Sequence, residues 1–413
     1  MADSREIIPL LDRYSETAGF GYSRRPIKLL LKAAGAGLNL FRRRKFGDSS
    51  CDILVLSPSE SWFKRVQPFV ASLERRHPRT RHIVVPNLKS IIRQRLLGEP
   101  FPGIGLQWRI PAAYAGYLFE TYRPRVVITF TETDLISFFL KLEAERRTAQ
   151  VVNIAHAVLT HSNLKSLFSF DYYFVLGKSS IDNARTHPIR FGSTRLVPTG
   201  SITIGMRDRL NPNPSARCLL LFSTWLYGGA DAYSREFNAC ARRGFSILAE
   251  WARRQPQYRL LVKLHPEEHP GLAEEYFVGL DNVTLLPKTI SIREALAAAS
   301  ISAGMMTNAS IESAVMNRPY IDVFPRRFLP NYLDIESYFG PRVETAEELE
   351  TRLSAILGDW DAALARARAF AQHHLAENDD TSELMVQHIG DILQQRPTFH
   401  FEELPAHLDQ LTR

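Results

Sequence analysis

The sequence has few of the residues that mark secretion, redox work or metal binding. Its 3 cysteines in 413 residues, Cys51, Cys218 and Cys240, lie far apart with no CxxC pair. An odd, scattered set excludes a disulfide framework and reads as small core residues in a reducing compartment. No charged-then-apolar signal segment opens the chain, so a cytoplasmic location is expected. No apolar run is long enough to span a bilayer. The longest near the start, residues 26–41, is interrupted by Lys28 and Lys32 and followed by the basic run 42–45. It reads as a helix packed on its domain, with peripheral contact at the inner face of an anionic membrane as the alternative.

Other absences narrow the chemistry. Neither GxxxxGK[ST] nor GxGxxG occurs, and Gly103-Ile-Gly105 follows no strand pattern. The histidines of HPEEH, His265 and His269, are four residues apart, but Pro266 spoils the helix that a zinc-protease site needs. Asp359-Trp-Asp361 opens a helical pattern instead of ending a strand, and reads as a cap. No metal is expected. Arginines are scattered without aromatic interleaving, so the net charge of +7 does not indicate a nucleic-acid partner.

What is present is an ordinary globular composition, 45% hydrophobic and 23% charged, in a chain long enough for two cores. Short apolar runs read as buried strands at residues 51–57, 82–86, 125–130, 150–154, 171–176 and 195–198. Helical patterns at 62–76 and 135–147 lie among them. The NPNP run at 211–214 reads as a linker. Strands then resume at 218–222, 259–264, 282–286, 301–303 and 320–323. Helices are expected at 234–254, 292–299, 311–316, 345–357, 361–376 and 382–393. Continuous apolar strands alternating with helices imply parallel sheets covered on both faces. The expected fold class is α/β: two Rossmann-like doubly wound domains, residues 1–210 and 211–395, facing a cleft, with a tail or crossing helix at 396–413.

In such sheets ligands sit at the carboxyl ends of strands. The run RLLVKLHPEEHP at 259–270 delivers His265-Pro266 to a strand end, with Glu267 next. Proline fixes the backbone there, and the imidazole can donate to a phosphate oxygen or act as an acid. Other His-Pro pairs occur, but only this one ends a buried strand. Thr307, Asn308 and Ser310 lie where a helix opens, with free backbone donors expected for an anion, and Glu312 lies on its first turn. The alternative there is ordinary capping. Ser223 and Thr224 end another strand, ahead of Gly228-Gly229 and Asp231, which is either a reactive carboxylate or a helix cap. Lys288 joins the donor-side set. In the first half Glu132, Asp134 and His156 follow strands and are candidate bases, whereas His161 reads as structural.

With these residues in place, the chain resembles the GT-B glycosyltransferases of bacterial surface polysaccharides over residues 50–395. KLHP at 263–266 looks like the His-Pro motif of bacterial sialyltransferases, capsule Kdo transferases and polyol-phosphate polymerases, where it contacts the phosphate of a CMP or CDP donor. Residues 307–312 are similar to the second donor motif of those families, whose hydroxyl and acid contact phosphate and ribose. The stretch 153–201, with AH, FDYYFVLGKS and PTGS, is similar too. The retaining β-Kdo transferases are the nearest match. The resemblance implies metal-independent transfer of a sugar, Kdo ahead of sialic acid, from a CMP-activated donor to a glycan or glycolipid. No cofactor is implied beyond that donor. Residues 1–210 would bind the acceptor and residues 211–395 the donor. It also implies Asp231 as nucleophile of a double displacement. The alternatives are CDP-glycerol or polyol-phosphate transfer with His156 as base, a non-hydrolysing UDP-sugar 2-epimerase, and an inactive glycan-binding scaffold. The polyol polymerases usually carry His-Gly where this chain has His156-Ala157.

Overall fold

The computed structural model describes residues 49–99, 104, 108–131, 135–161, 165–166, 168–204, 209–211, 214–224, 232–265, 268, 270–305, 307–324, 333–376 and 380–407. The segment 26–41, Glu132, Asp134, Gly228-Gly229, Asp231, Pro266 and Glu267 lie outside the described residues. The chain divides into two units. One holds the described residues as far as Thr203 together with those from Asp380 onward, and the other holds residues 204–379.

The first unit runs β1 (Ile53–Ser57), α1 (Glu60–Arg76), β2 (Thr80–Val84), α2 (Leu88–Gln94), α3 (Arg109–Tyr122) and β3 (Val126–Thr129). It continues with α4 (Leu135–Arg146), β4 (Gln150–Ile154), β5 (Tyr172–Val175), α5 (Lys178–Arg185) and β6 (Thr194–Pro198). These strands order as β2-β1-β3-β4-β5-β6, all parallel. Helix α1 forms because Val66, Phe69, Val70 and Leu73 recur at helical spacing on one buried face, while Ser59 accepts from the Trp62 amide as its cap. Burying side chains of that size contributes about 1.5–3 kcal/mol each.

The second unit begins with β7 (Cys218–Phe222), α6 (Ala232–Arg254), β8 (Arg259–Lys263), α7 (Pro270–Phe277), β9 (Val283–Leu285) and α8 (Ile292–Ala297). Then come β10 (Ile301–Gly304), α9 (Ala309–Val315), β11 (Tyr320–Asp322), α10 (Ile335–Phe339), α11 (Ala346–Gly358) and α12 (Trp360–His374). Its sheet is parallel throughout, in the order β9-β8-β7-β10-β11. Alternate residues of its strands feed two cores. Leu219, Leu221, Leu260 and Val262 pack with α6 and α11, and Leu220, Phe222 and Leu261 pack with α8 and α9. This two-sided burial is why the strands read as continuous apolar runs.

The chain then returns to the first unit. Helix α13 (Thr381–Leu393) lays Met385, Val386, Ile389 and Ile392 into the core that α1 covers. Strand β12 (Glu402–Leu404) then pairs antiparallel with β6. Both points correct the expected domain limits. Helix α13 has an apolar stripe that only the first sheet buries, so the second unit ends near 379 and not 395. Residues 396–413 were expected to be a tail or crossing helix, yet 402–404 form a strand. It is anchored by buried Leu404 and by Arg185, whose guanidinium forks onto both carboxylate oxygens of Glu402. The first boundary also moves, from 210 to 203. The Asn317 side-chain amide donates to the Leu210 carbonyl at 3.1 Å and Arg318 donates to the Asn211 carbonyl at 3.3 Å, tying that stretch to the second unit.

Candidate functional site at the strand ends of the second unit

The strand order of the second sheet reverses between β7 and β10, and such a reversal opens a crevice at the carboxyl ends of the strands. The sequence crowds polar residues there. Ser223 and Thr224 follow β7, His265 lies two residues beyond β8, and Thr307 lies just beyond β10. At the end of β10, Gly304 is required by close approach, since a Cβ there would collide with the Tyr320 hydroxyl.

Strand alternation explains what β8 presents. Leu264 continues the Leu260 and Val262 face into the α6 core, whereas Lys263 continues the Leu261 face toward α8 and α9. Lys263 is 8% exposed. Burial lowers its pKa from the usual lysine value, and Glu312, half-buried on α9, pulls the other way. His265 emerges half-buried immediately after.

Its main chain is held by a closed set of hydrogen bonds. The His265 amide donates to Ser223 Oγ at 2.9 Å, the Ser223 hydroxyl donates to Glu268 Oε2, and the Glu268 amide donates to the His265 carbonyl at 3.0 Å. The Ser223 amide also extends the β7–β8 ladder by donating to the Lys263 carbonyl at 3.1 Å. Glu268 is 2% exposed, and its Oε1 is buried with no hydrogen-bond partner. Desolvation raises the Glu268 pKa, opposed by the Ser223 and backbone hydrogen bonds and by the charge of Lys288. The structure thus gathers Ser223, His265 and Lys288 from the expected set and adds Lys263 and Glu268. The doubled glutamate of HPEEH was the available signal for Glu268, but its burial is visible only in the structure.

The opening of α9 differs in detail from expectation. Its first donors serve their own segment: Ala309 N–H to Thr307 Oγ1 at 3.3 Å, Ser310 N–H to the Thr307 carbonyl at 3.2 Å, and Ile311 N–H to the Asn308 carbonyl at 3.0 Å. Free backbone donors are therefore not what this seven-residue helix offers. Ser310 is fully buried and its hydroxyl donates to the Thr307 carbonyl at 3.0 Å. Asn308 stands at the cap position without a side-chain cap bond, and its Oδ1 is buried with no partner. Thr224 and Thr307 are half-buried.

In the first unit His156 is exposed after β4 and meets the Trp62 ring edge-on at 5.6 Å. Trp62 in turn stacks on Phe130 at 5.8 Å. His161 bonds the Asn183 carbonyl at 3.0 Å and Thr186 Oγ1 at 2.9 Å, a structural role. Among the described residues no group of three or more His, Cys, Asp or Glu side chains is arranged to hold a metal ion, and no helix is long and apolar enough to cross a membrane.

Neither a protein-family model nor a curated protein sequence matches the chain. Solved structures do. The S. aureus MnaA–UDP complex superposes with a TM-score of 0.56 at 13% identity, covering 85% of this chain and 100% of that one. The UDP-GlcNAc 2-epimerase of Neisseria meningitidis, bound to UDP-GlcNAc, gives 0.55 at 14% identity over 82% and 99%. The wall teichoic acid polymerase TagF gives 0.50 at 13% identity over 94% and 98%. The chain has the GT-B fold. In GT-B terms, β7–β11 with α6–α12 are the second Rossmann-like unit, and the polar strand ends described above belong to it. Identities this low establish the fold alone.

Proposed function

We propose that this GT-B chain transfers a sugar from a nucleotide-activated donor to a bacterial surface glycan, with the donor phosphate held at the strand ends of the second unit. The observation that carries this reading is the placement of Lys263 and His265 at the carboxyl end of β8, next to the end of β7 in a Rossmann-ordered sheet, with the His265 amide held by Ser223 Oγ. Cationic and hydroxyl groups at such a place suit a phosphate, and His265 can protonate or hydrogen-bond a leaving phosphate oxygen. Two structures of the same fold are nucleotide complexes, one with UDP and one with UDP-GlcNAc.

The finer reading, a CMP-activated donor with Kdo as its sugar, rests on the resemblance of KLHP and of residues 307–312. In it His265, Thr307 and Asn308 hold the phosphate, Glu312 the ribose, and Asp231 attacks the sugar carbon as nucleophile. Transfer is proposed to need no metal, with Lys263 and the His265 imidazole offered to the donor phosphate instead. A cytoplasmic location with peripheral membrane contact belongs to the same reading. Polyol-phosphate transfer is the second reading, favoured by the likeness to TagF across 94% of the chain. His156, exposed at the end of β4, would be its base. The likeness to UDP-GlcNAc 2-epimerases supports a third, sugar epimerisation without an acceptor.

Calorimetry with CMP, CDP, UDP and GDP, followed by turnover of CMP-Kdo, CDP-glycerol and UDP-GlcNAc, separates these. A cytidine preference with CMP-Kdo turnover supports the first reading, and CDP-glycerol turnover alone the second. Interconversion of UDP-GlcNAc would identify an epimerase. Absence of all nucleotide binding would overturn the donor site itself.

A further inference from the structure

Ser223 Oγ carries one proton and accepts one. The His265 amide donates to it at 2.9 Å, and the hydroxyl proton goes to Glu268 Oε2, the carboxylate oxygen bonded to it among the described residues. The Glu268 amide then returns to the His265 carbonyl at 3.0 Å. Every link of this ring ends on the main chain of His265 or on the residue that holds it. Glu268 is an acid that the fold has buried to 2% exposure, with one oxygen left without a partner. Burying a carboxyl in this way is costly, and a glutamine or an apolar residue would cost less if packing were the only requirement.

We propose that Glu268 is a positioning residue for His265, fixing the His265 main chain at the end of β8 by orienting the Ser223 hydroxyl and by closing the ring on the His265 carbonyl. Glu268 touches no ligand in this role. It sets the point from which the imidazole leaves the strand, and so the distance from the imidazole to a bound phosphate. The inference rests on the donor-site reading for His265, and it adds a residue that neither the His-Pro resemblance nor the fold assigns.

The test is a set of variants measured by calorimetry with CDP and UDP, alongside thermal unfolding. Glu268→Ala breaks the ring, and affinity for the nucleotide that binds wild type should fall about tenfold, the scale of one buried hydrogen-bonded contact. Glu268→Gln keeps an oxygen that can accept from Ser223, and should restore affinity to within about twofold. Ser223→Ala should match Glu268→Ala, and the two together should be no worse than either. The deciding measurement is Glu268→Ala in the His265→Ala background. If Glu268 acts through His265, the second substitution costs no further affinity there. Equal losses with and without the imidazole would overturn the proposal, as would a Gln variant as weak as the Ala variant while both unfold at the wild-type temperature. His265→Ala binding nucleotide as tightly as wild type would instead sink the donor-site reading, and this proposal with it.

Discussion

The two units build the same parallel β/α sheet and then treat their strand ends in opposite ways. In the first, rings gather at the strand ends and within β2 just before its end. His82 Nε2 lies 2.8 Å from Ser57 Oγ, its imidazole stacks on Phe63 at 3.8 Å, and Trp62 bridges Phe130 and His156. Burial holds the His82 pKa down at about 4, so this ring is neutral under ordinary conditions. In the second, Lys263 and Glu312 act on each other, as do Glu268 and Lys288, and Lys263 and Glu268 lie in sequence on either side of His265. Both units keep buried polar atoms without a partner, His82 Nδ1 and Asn153 Nδ2 in the first and Glu268 Oε1 in the second, so what distinguishes them is the buried lysine and the buried carboxyl of the second. A shared topology therefore does not make the units equivalent: the described strand ends of one are largely aromatic, and those of the other carry ionic groups.

The sharpest way to break that comparison is to remove one histidine from each. His265→Ala should weaken nucleotide binding and transfer on the order of 100-fold with an unchanged unfolding temperature, consistent with loss of an acid or phosphate contact. His156→Ala should leave nucleotide affinity within about twofold and lower only turnover. Calorimetry and initial rates on the two variants decide it. Equal effects on nucleotide binding would mean that the strand ends of the two units do not divide the work as described.

A smaller effect is expected at Lys263. Lys263→Met keeps the stem that packs on the Leu261 face and removes the charge facing Glu312. Nucleotide affinity should fall about tenfold, from loss of a buried positive charge near the phosphate. Adding Glu312→Gln should recover folding stability without recovering affinity. Recovery of both would show that Lys263 serves only to neutralise Glu312.

Much of this was legible in the sequence, for identifiable reasons. The eleven parallel strands have limits within two residues of those expected, and in most of them residues buried on both faces leave an unbroken hydrophobic signature; the edge strands β2 and β9 are only partly buried. Helix α3 was missed because Ile110, Ala112, Ala113, Tyr114, Ala115, Leu118 and Phe119 are buried around most of its circumference, which erases the helical period. The return of α13 and β12 to the first unit was missed because an amphipathic stripe says that a helix is buried, not against which sheet. At the site, His265 was found because a proline marks the end of its strand. Glu268 and Lys263 were not, since a buried acid and a buried lysine look in sequence like any charged pair beside a turn. The donors of α9 were overestimated because Thr307 supplies two acceptors to its own helix.

The smallest prediction turns the comparison into one of sign. His82 is held near 4, below the usual histidine value, so between about pH 6.5 and 4 the unfolded chain binds a proton that the native chain does not. Its contribution is present above that window and lost as pH falls through it. Glu268 is shifted the other way: its raised pKa means that the native chain keeps a proton the unfolded chain gives up. Its contribution is present below the ordinary glutamate value and lost as pH rises through the native one. His374, fully buried in the second unit and held at about 3, adds acid sensitivity that both variants below retain, so each is compared as a difference from wild type. Urea unfolding from pH 4 to 8 should show His82→Gln flattening only the acid loss, by on the order of 1 kcal/mol after allowance for solvent screening. Glu268→Gln should flatten only the fall on the other side, with the opposite slope. If both variants changed the profile in the same direction, the strand ends of the two units would not differ in charge state, and the division between an aromatic and an ionic end would fail.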